Sequence, residues 1–484
     1  MKKIAIIGAG PGGLAAGMVL SGKGYDVHIF EKDSMVGGRS KRLTLQSYQF
    51  DVGPTFLMYI DILKEVFSAA GYDLEKEVNL IKLDQLYRLV FKDVTFDVHS
   101  DPNINKNMYD SYQKGMGKSY EQWLKAQEKK MSLIQPILEK PFPNALHFFR
   151  KDVLKALPVV HPFQSVFSHL KTFNKDEHFI HSLSFQAKYL GMASYDAPSM
   201  FTILPYLEHA MGLYHVEGGL NQINQVMEKL IKKNQGHIHL KQKVEQINVE
   251  NGIAKGLIIN GKMHEFDSII LNADFAYAMN HLIKPTDLKK YQPKKLNAKK
   301  FSVSTFMLYL GLNHVFDFPH HEILFSNDYE TYLKGLTKGF FTDDLSIYVH
   351  NPSMIDKTLA PSGHSSVFIL VPVPNLSSEK DYKTYTNELR EKTIDIIEKR
   401  HQVDLRKHIK VEHIITPENW ENDYHVHLGA VFNLAHNLGQ MLHKRPHNQF
   451  EDVKNIYLVG GGTHPGSGLP TIYQSALILK HFFK

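Results

Sequence analysis

The chain has 484 residues, of which 43% are hydrophobic, enough for two large domains with a sizeable buried core. It contains no cysteine, which excludes disulfides, thiolate metal ligands and a catalytic cysteine. The net charge of only +6, without any nucleic-acid-binding motif, means that nucleic acid is not an expected partner.

A glycine-rich turn near the N-terminus predicts a dinucleotide site. Residues 3–7 are an apolar run typical of a buried parallel strand, and a helix is predicted over 11–22. Between them Gly8 permits a tight turn, Gly10 lets the backbone approach a pyrophosphate, and Gly13 lets the helix pack close to the strand. The helix directs its N-terminal N–H groups at the phosphates. We therefore assign to cofactor binding Gly8, Ala9, Gly10, Pro11, Gly12 and Gly13.

The second predicted strand, 27–30, ends at an acidic residue. Glu31 is positioned there to accept hydrogen bonds from an adenosine ribose, and an acid disfavours a 2′-phosphate, so FAD or NAD fits better than NADP. Lys32 follows directly. Gly37-Gly38-Arg39 adds a second glycine turn with a permanent cation suited to the pyrophosphate; the alternative is an ordinary loop with a solvated arginine. The apolar start also resembles a secretory signal, which we reject because cleavage would destroy the complete fingerprint.

The middle of the chain predicts strands separated by tight turns. An amphipathic helix ends near Lys233, and strands follow at 237–240, 244–249, 254–259 and 268–271. Asn251-Gly252 and Asn260-Gly261 are strong hairpin signals. On its own this block could also be a structural β-meander without a ligand. A second glycine-dense stretch, 460–468, lies hundreds of residues from the first and is suited to bring backbone close to another part of the same ligand.

These segments predict an α/β protein, α+β overall, with a discontinuous Rossmann-like domain. We expect the FAD-binding domain to comprise residues 1–75, 215–290 and 420–484. The remaining residues, 76–214 and 291–419, are expected to form a mixed β-sheet and helical domain that binds substrate and associates with a membrane.

A basic, aromatic-rich segment at 144–173 has a composition suited to contact with an anionic bilayer. Its many apolar residues alternate with Arg150, Lys151, Lys155 and Lys171, and Asp152 is its only acid. The alternative is a pair of amphipathic helices packed on the core. No apolar run reaches the length of a membrane span. His320-His321 and His425-Val426-His427 have spacings that metals use, but no acid accompanies them, so we predict no metal site.

Several motifs carry a resemblance to a known family. They are the N-terminal cradle, Phe50-Asp51-Val52-Gly53-Pro54-Thr55, Tyr214-His215-Val216-Glu217-Gly218-Gly219, Asn272-Ala273-Asp274, Ser304-Thr305-Phe306-Met307-Leu308-Tyr309-Leu310-Gly311, Leu359-Ala360-Pro361-Ser362-Gly363-His364, Arg445-Pro446-His447-Asn448 and Gly462-Thr463-His464-Pro465-Gly466-Ser467-Gly468-Leu469-Pro470. Nearly end to end, the chain resembles the bacterial phytoene desaturase family of carotenoid-forming flavoenzymes, which includes the diapophytoene desaturases.

The resemblance implies noncovalent FAD, an amine-oxidase-like two-domain fold, and dehydrogenation of a long isoprenoid hydrocarbon, phytoene or diapophytoene. It also implies a cytoplasmic enzyme attached peripherally to the inner face of the cell membrane, with oxygen or a quinone as electron acceptor. Val244 would contact the adenosine end of FAD through its backbone. Near the ribityl chain and the isoalloxazine would lie Gly462, Thr463, Leu469, Pro470, Thr471 and Ile472, and Gly53 and Pro54 are further expected cofactor contacts.

The expected chemistry is hydride transfer to flavin N5 followed by proton loss, which requires alignment and exclusion of water rather than a catalytic triad. By similarity we place Arg150, Asp152, Lys299 and Lys300 near the channel mouth as speculative contributors; the alternative is that they are surface charges. Competing functions are a carotenoid terminal-methyl oxidase or isomerase, a flavin amine oxidase, and a non-enzymatic prenyl-binding protein of the same fold. The sequence leaves the length of the isoprenoid open.

Overall fold

The predicted strand–turn–helix opens the computed structural model, which describes residues 2–378 and 381–484. The predicted bounds of the first strand and helix are confirmed, and the second strand begins one residue earlier than predicted. In chain order the first strands are β1 (Lys3–Ile7), β2 (Asp26–Phe30), β3 (Arg42–Leu45), β4 (Tyr48–Asp51), β5 (Leu57–Met58), β6 (Leu80–Lys82), β7 (Gln85–Val90), β8 (Thr95–His99), β9 (Leu213–Val216) and β10 (His237–His239). The later ones are β11 (Val244–Glu250), β12 (Ile253–Ile259), β13 (Lys262–Glu265), β14 (Ser268–Leu271), β15 (Ser304–Leu312), β16 (His321–Leu324), β17 (Ile347–His350), β18 (Ser365–Val373), β19 (Ile409–Ile415) and β20 (Ile456–Leu458).

The α-helices fall mainly between residues 60 and 240 and near the C-terminus. The first eight are α1 (Pro11–Gly22), α2 (Ile60–Ala69), α3 (Leu74–Glu77), α4 (Pro102–Tyr112), α5 (Met116–Leu138), α6 (Lys151–Val160), α7 (Val166–Leu170) and α8 (Glu177–Ser182). They are followed by α9 (Ile203–Met211), α10 (Asn221–Lys233), α11 (Phe275–His281), α12 (Pro293–Asn297), α13 (Tyr329–Lys338), α14 (Tyr382–His401), α15 (Pro417–Asn422) and α16 (Leu469–Ile478). Among the described residues, none of these helices is both long and apolar enough to cross a bilayer.

A parallel sheet holds the two ends of the chain together. Its order is β10-β2-β1-β14-β20, and every neighbouring pair runs parallel. Ile4, Ala5 and Ile6 in β1 are completely buried, as a strand covered on both faces requires. α1 packs against both α10 and α16. The carboxyl ends of strands from three distant parts of the chain therefore meet along one edge.

Beside this sheet, β11, β12 and β13 form an antiparallel sheet in which the predicted hairpins are confirmed. Asn251 and Gly252 have φ of 51° and 74°, and Asn260 and Gly261 have 51° and 70°. Positive φ at both central residues is the requirement of the tight turns that these sequences favour.

The second large sheet is mixed, in the order β19-β15-β18-β17-β16-β7-β8. Side chains alternate between its faces. One face, including Phe306, Leu308 and Ile369, packs in a core with Tyr329 of α13 and Leu389 of α14. The opposite face borders a cavity. The two large sheets draw their strands from the two predicted sets of segments, while the small sheet β5-β9-β6 connects those sets; the division into domains stays a prediction.

Candidate active site

A cavity of about 490 Å³, open at its mouth, lies between the carboxyl edge of the parallel sheet and the inner face of the mixed sheet. Ligand pockets usually occupy about 300–1,000 Å³, so this cavity has the size of an ordinary ligand-binding site. One end is lined by glycine-rich backbone and the other by apolar side chains.

The N-terminal glycines bring backbone groups directly to the cavity. Gly10 caps α1 without any side-chain hydrogen bond, which leaves the helix N-terminus facing a ligand rather than a capping residue. A Cβ on Gly13 would lie 2.1 Å from the carbonyl oxygen of Gly8, and one on Gly12 would lie 2.6 Å from Asn272 Oδ1. The close approach of α1 to β1 therefore requires glycine at position 13, and Gly12 leaves room for the side chain of Asn272 after β14.

Glu31 is held in place by the same turn. Its Oε2 accepts a hydrogen bond from the Ala9 N–H at 2.8 Å, and its Oε1 accepts one from the Asp33 N–H at 3.0 Å. The second glycine turn rests on the first, since the Gly37 N–H donates to the Ala9 carbonyl at 2.8 Å. Each Glu31 oxygen keeps a lone pair for a ligand hydroxyl.

Arg39 is a half-buried cation that lines this end of the cavity. Its Nη1 donates to the Val431 carbonyl at 2.5 Å. Burial lowers the pKa of Arg39 and raises the pKa of Asp274, and the attraction between the two side chains opposes both shifts. The cavity therefore holds a cation suited to a pyrophosphate beside a carboxyl group that keeps it partly balanced.

The C-terminal glycine-rich loop is fixed by a completely buried arginine. Arg445 donates from Nε to the Thr463 carbonyl at 3.0 Å and from Nη2 to the Gly461 carbonyl at 2.7 Å. Burial lowers the pKa of Arg445 to about 10, so the side chain remains charged at neutral pH. α16 begins directly after this loop, and its N-terminus, like that of α1, reaches the cavity.

The other end of the cavity is an apolar channel. The face of the mixed sheet contributes one wall, and the helical insertion contributes the other. These walls are lined by Met307, Ile323, Tyr348, Leu370 and Pro372 from the sheet and by Met131, Leu138, Ile203, Leu204 and Leu207 from the helices. Tyr348 and Thr55 are joined through their hydroxyl oxygens at 2.8 Å, where the channel meets the glycine-rich end. An apolar channel of this kind suits a ligand without charge or hydrogen-bonding groups.

Comparison with known proteins identifies the family. The profile of flavin containing amine oxidoreductases matches residues 11–478. A 4,4'-diapophytoene desaturase (4,4'-diapolycopene-forming) from Methylomonas sp is 44% identical over 99% of this chain and 94% of its own. The chain belongs to the carotenoid desaturases of this family. An all-trans-zeta-carotene desaturase from Myxococcus xanthus is 34% identical over 99% of this chain and 92% of its own. The predicted family and activity are confirmed, and the competing activities are not favoured.

The fold of this carotenoid desaturase agrees with the family. A crystal structure of an oxidoreductase from Methanosarcina mazei superposes with a TM-score of 0.67 over 99% of this chain and 100% of its own, at 18% identity. The predicted α/β, amine-oxidase-like fold is thus confirmed. The family binds a flavin, and the glycine cradle fits one, since the N-terminus of α1 reaches the cavity without a side-chain cap.

Most predicted cofactor residues of the desaturase line the cavity. They are Gly8, Gly10, Pro11, Gly12, Glu31, Lys32, Gly38, Arg39, Gly53, Pro54, Val244, Gly462, Leu469, Pro470, Thr471 and Ile472. The others lie directly behind: Ala9 and Gly37 are hydrogen-bonded in the turns, Gly13 packs α1 onto β1, and Thr463 donates from Oγ1 to the Pro446 carbonyl at 2.7 Å. Their roles toward a cofactor stay predictions.

The speculative catalytic residues are not among those that line the cavity. Arg150 and Asp152 form an ion pair, and Arg150 lies over the ring of Phe142 at 5.9 Å. The backbone N–H of Lys300 donates to Gln440 Oε1 at 2.9 Å, and burial lowers the pKa of Lys299. Their contribution to catalysis stays a prediction.

Sequence reasoning missed two residues of this region. Arg445 stood in a family motif, but its role in holding the glycine-rich loop depends on burial that the motif does not reveal. Lys188 lines the apolar channel, and no pattern around it distinguishes it from a surface lysine. His320 and His321 are not among the residues that line the cavity. His320, His215 and His350 form a cluster in which one ring nitrogen of each lies within 4.8 Å of the others. The absence of a metal site stays a prediction.

Proposed function

We propose that this desaturase converts 4,4'-diapophytoene into 4,4'-diapolycopene, the reaction named for its relative from Methylomonas sp. The observation that carries the proposal is the continuity of the cavity, in which an apolar channel opens onto a glycine-rich cradle. A hydrocarbon has no polar group to orient it, so the channel walls must align it by shape alone.

We further propose that the cofactor is FAD and that it is bound without a covalent link. The dinucleotide cradle with Glu31 at the end of β2 supports FAD, and the lack of cysteine removes one means of attachment. Bound FAD supplies the acceptor for the hydride that leaves the substrate, and oxygen or a quinone then removes the electrons. The chain orients the hydrocarbon along Tyr348 and Leu370 and excludes water from the channel.

Pigment analysis tests the substrate and the reaction. The chain is expressed in hosts that make either diapophytoene or phytoene. We expect coloured, oxygen-free polyenes from the diapophytoene host. Colour from the phytoene host alone would replace the proposed substrate by the longer hydrocarbon, and aldehydes made only from an already coloured polyene would favour the methyl oxidase.

Release of FAD on acid denaturation would establish noncovalent binding, and comparison of anaerobic turnover with and without a quinone would identify the acceptor.

We also propose that the enzyme is cytoplasmic and binds the inner face of the cell membrane peripherally. Large apolar side chains between residues 146 and 163 are exposed, with Phe163 at 94% and Phe149 at 75%, while Val153 and Ala156 of the same segment pack inward. Lys151 and Lys155 are exposed beside them. Single exposed apolar residues are ordinary, but a contiguous patch with cations is typical of an interface with anionic lipid.

This segment adjoins the cavity, because its Val153 and Ala156 belong to a cluster that packs against Leu442, and Leu442 lines the cavity. A hydrocarbon dissolved in the bilayer would therefore reach the channel directly.

Co-sedimentation with anionic phosphatidylglycerol vesicles tests the proposed membrane binding. Replacement of Leu146, Phe149 and Phe163 by serine is expected to abolish sedimentation without changing turnover of detergent-solubilised substrate. The matched control replaces Ile104, Met263 and Phe340, which are also exposed, and should sediment like the wild type. Equal sedimentation of both variants would overturn the proposal.

A further inference from the structure

Lys188 is a basic residue among the side chains that line the apolar channel. It lines the cavity, and its Nζ donates to Ser346 Oγ at 3.1 Å. The rings of Phe325 and Tyr329 lie 5.7 and 5.2 Å from Nζ. Within residues 2–378 and 381–484, no carboxylate forms an ion pair with it. A lysine in apolar surroundings without a carboxylate is uncommon and calls for a functional reason.

The position of Lys188 relates it to the glycine-rich end of the cavity. Ser346 directly precedes β17 and lies two residues before Tyr348, which lines the cavity. Tyr348 reaches Thr55, next to the predicted cofactor residues Gly53 and Pro54. Lys188 therefore lines the cavity, and its amine is hydrogen-bonded to the segment that leads into β17 and Tyr348.

Desaturation requires an acceptor for a proton. One C–H bond yields its electron pair as hydride to the flavin; the pair of the neighbouring C–H bond becomes the new double bond, and its proton must leave. The substrate cannot take that proton. Other bases also line the cavity: burial lowers the pKa of His436 and His464, which makes both weak bases, and Glu139 accepts a hydrogen bond from Gln135 Nε2 at 2.9 Å. On the basis of the proposed function, we propose that Lys188 in its neutral form accepts the proton lost by the hydrocarbon at each desaturation. Its lone pair binds the proton, and the ammonium returns it to water at the cavity mouth before the next step.

The surroundings of Lys188 support a neutral amine. Burial lowers its pKa to about 7, which leaves a substantial neutral fraction at neutral pH. The titratable groups that face it are His181 of α8 and Tyr329 of α13. Burial lowers the pKa of His181 to about 4 and raises that of Tyr329, so both are uncharged and neither holds the lysine in its protonated form.

Lys130 provides a matched control. Burial lowers its pKa to about 7 as well, but its Nζ donates to Thr202 Oγ1 at 2.9 Å and to the Ser199 carbonyl at 3.2 Å, and it is not among the residues that line the cavity. The two lysines therefore share a lowered pKa and differ in access to the channel.

Covalent trapping tests access and protonation without relying on turnover. The purified holoenzyme is incubated with retinal, an apolar polyene aldehyde, and cyanoborohydride. A neutral amine condenses with the aldehyde to an imine with loss of water, and cyanoborohydride reduces the imine to a stable amine. Peptide mass spectrometry should find the adduct on Lys188, increasing as pH rises through about 7, and not on Lys130. An unmodified Lys188 across this pH range would overturn the proposal.

Single-turnover flavin reduction by diapophytoene tests the role. The wild-type rate should rise with pH through the pKa of Lys188, and K188M and K188R should each lose about 10²- to 10⁴-fold, since neither side chain can accept a proton. K130M should keep the rate, and flavin content with thermal unfolding confirms that each variant is folded. A K188R variant as fast as the wild type would reduce Lys188 to a structural cation. A wild type that leaves diapophytoene unchanged overturns both proposals, whereas an active K188M variant beside an active wild type overturns this one alone.

Discussion

Burial shifts the pKa of ionisable groups toward the neutral form at both ends of the cavity, but the two ends surround these groups differently. At the glycine-rich end, charged groups are held by backbone: Glu31 accepts two N–H groups, and Arg445 donates to carbonyls of the C-terminal loop. In the helical insertion beside the channel, Lys130 and Glu208 are buried and Lys188 is half-buried, and burial shifts the pKa of each toward its neutral form.

The difference corresponds to the ligands. A dinucleotide carries a fixed charge, and a rigid array of backbone dipoles can hold it at little reorganisation cost. A hydrocarbon carries none, and a permanently charged wall would lose its hydration when the hydrocarbon entered. Ligand binding at the glycine-rich end of the cavity therefore depends on backbone geometry, and ligand binding at the apolar end depends on the protonation states of side chains. The following substitutions test each half of that statement, from the largest effect to the smallest.

Replacing Gly13 by alanine should have the largest effect. The new Cβ would lie 2.1 Å from the Gly8 carbonyl oxygen, so α1 would have to move away from β1. Overpacking against backbone should lower the free energy of unfolding by about 3 kcal/mol, the upper end of the usual cost, and abolish flavin binding. Flavin absorbance per chain and denaturant unfolding measure both quantities. Gly24→Ala is the control: its φ of 83° adds strain of about 1–2 kcal/mol, but nothing lies within 4 Å, and flavin should be retained. Full flavin content in the Gly13 variant would disprove the backbone argument.

The same contrast explains how far the sequence could be read. The strand–turn–helix at Gly8 to Gly13 and the Asn-Gly hairpins were predictable because the conformations depend on a few adjacent residues. The order of the mixed sheet was not, since β7 pairs with β16 from more than two hundred residues away. The protonation states of Lys188 and Glu208 could not be predicted either, because their surroundings include partners such as Ser346 and Gln186 that only the folded chain brings near.

Arg445→Met should have the second largest effect. The substitution leaves the carbonyls of Thr463, Gly461 and Leu434 without their buried donor, at about 1–3 kcal/mol for each unsatisfied group. We expect the dissociation constant for flavin to rise at least tenfold, measured by titrating the flavin-free protein and following flavin fluorescence. Arg400→Met removes an exposed arginine from α14 and should leave the constant unchanged. Equal affinities in the two variants would mean that the C-terminal loop holds its shape without the arginine.

The Glu208→Gln substitution tests the region beside the channel through the pH dependence of stability rather than through ligand binding. Glu208 is completely buried, its Oε2 accepts hydrogen bonds from Gln186 Nε2 at 2.8 Å and the Tyr87 hydroxyl at 3.0 Å, and burial raises its pKa from 4.5 to about 8. The unfolded chain loses this proton above about pH 4.5, while the folded chain keeps it until about pH 8. Wild-type stability should therefore fall as pH rises through that window and level off above it.

Glutamine preserves the shape and the acceptor but carries no titrating proton. At pH 5 the variant and the wild type should unfold at similar temperatures, and by pH 8 the variant should be more stable by up to about 5 kcal/mol, at 1.36 kcal/mol per unit of pKa. Thermal unfolding across this range measures the divergence. Glu250→Gln, at an exposed position of β11, should parallel the wild type throughout. If the Glu208 variant also parallels the wild type, the buried carboxyl group is ionised in the folded protein. The region beside the channel would then accommodate a fixed charge, contrary to the proposed difference between the two ends of the cavity.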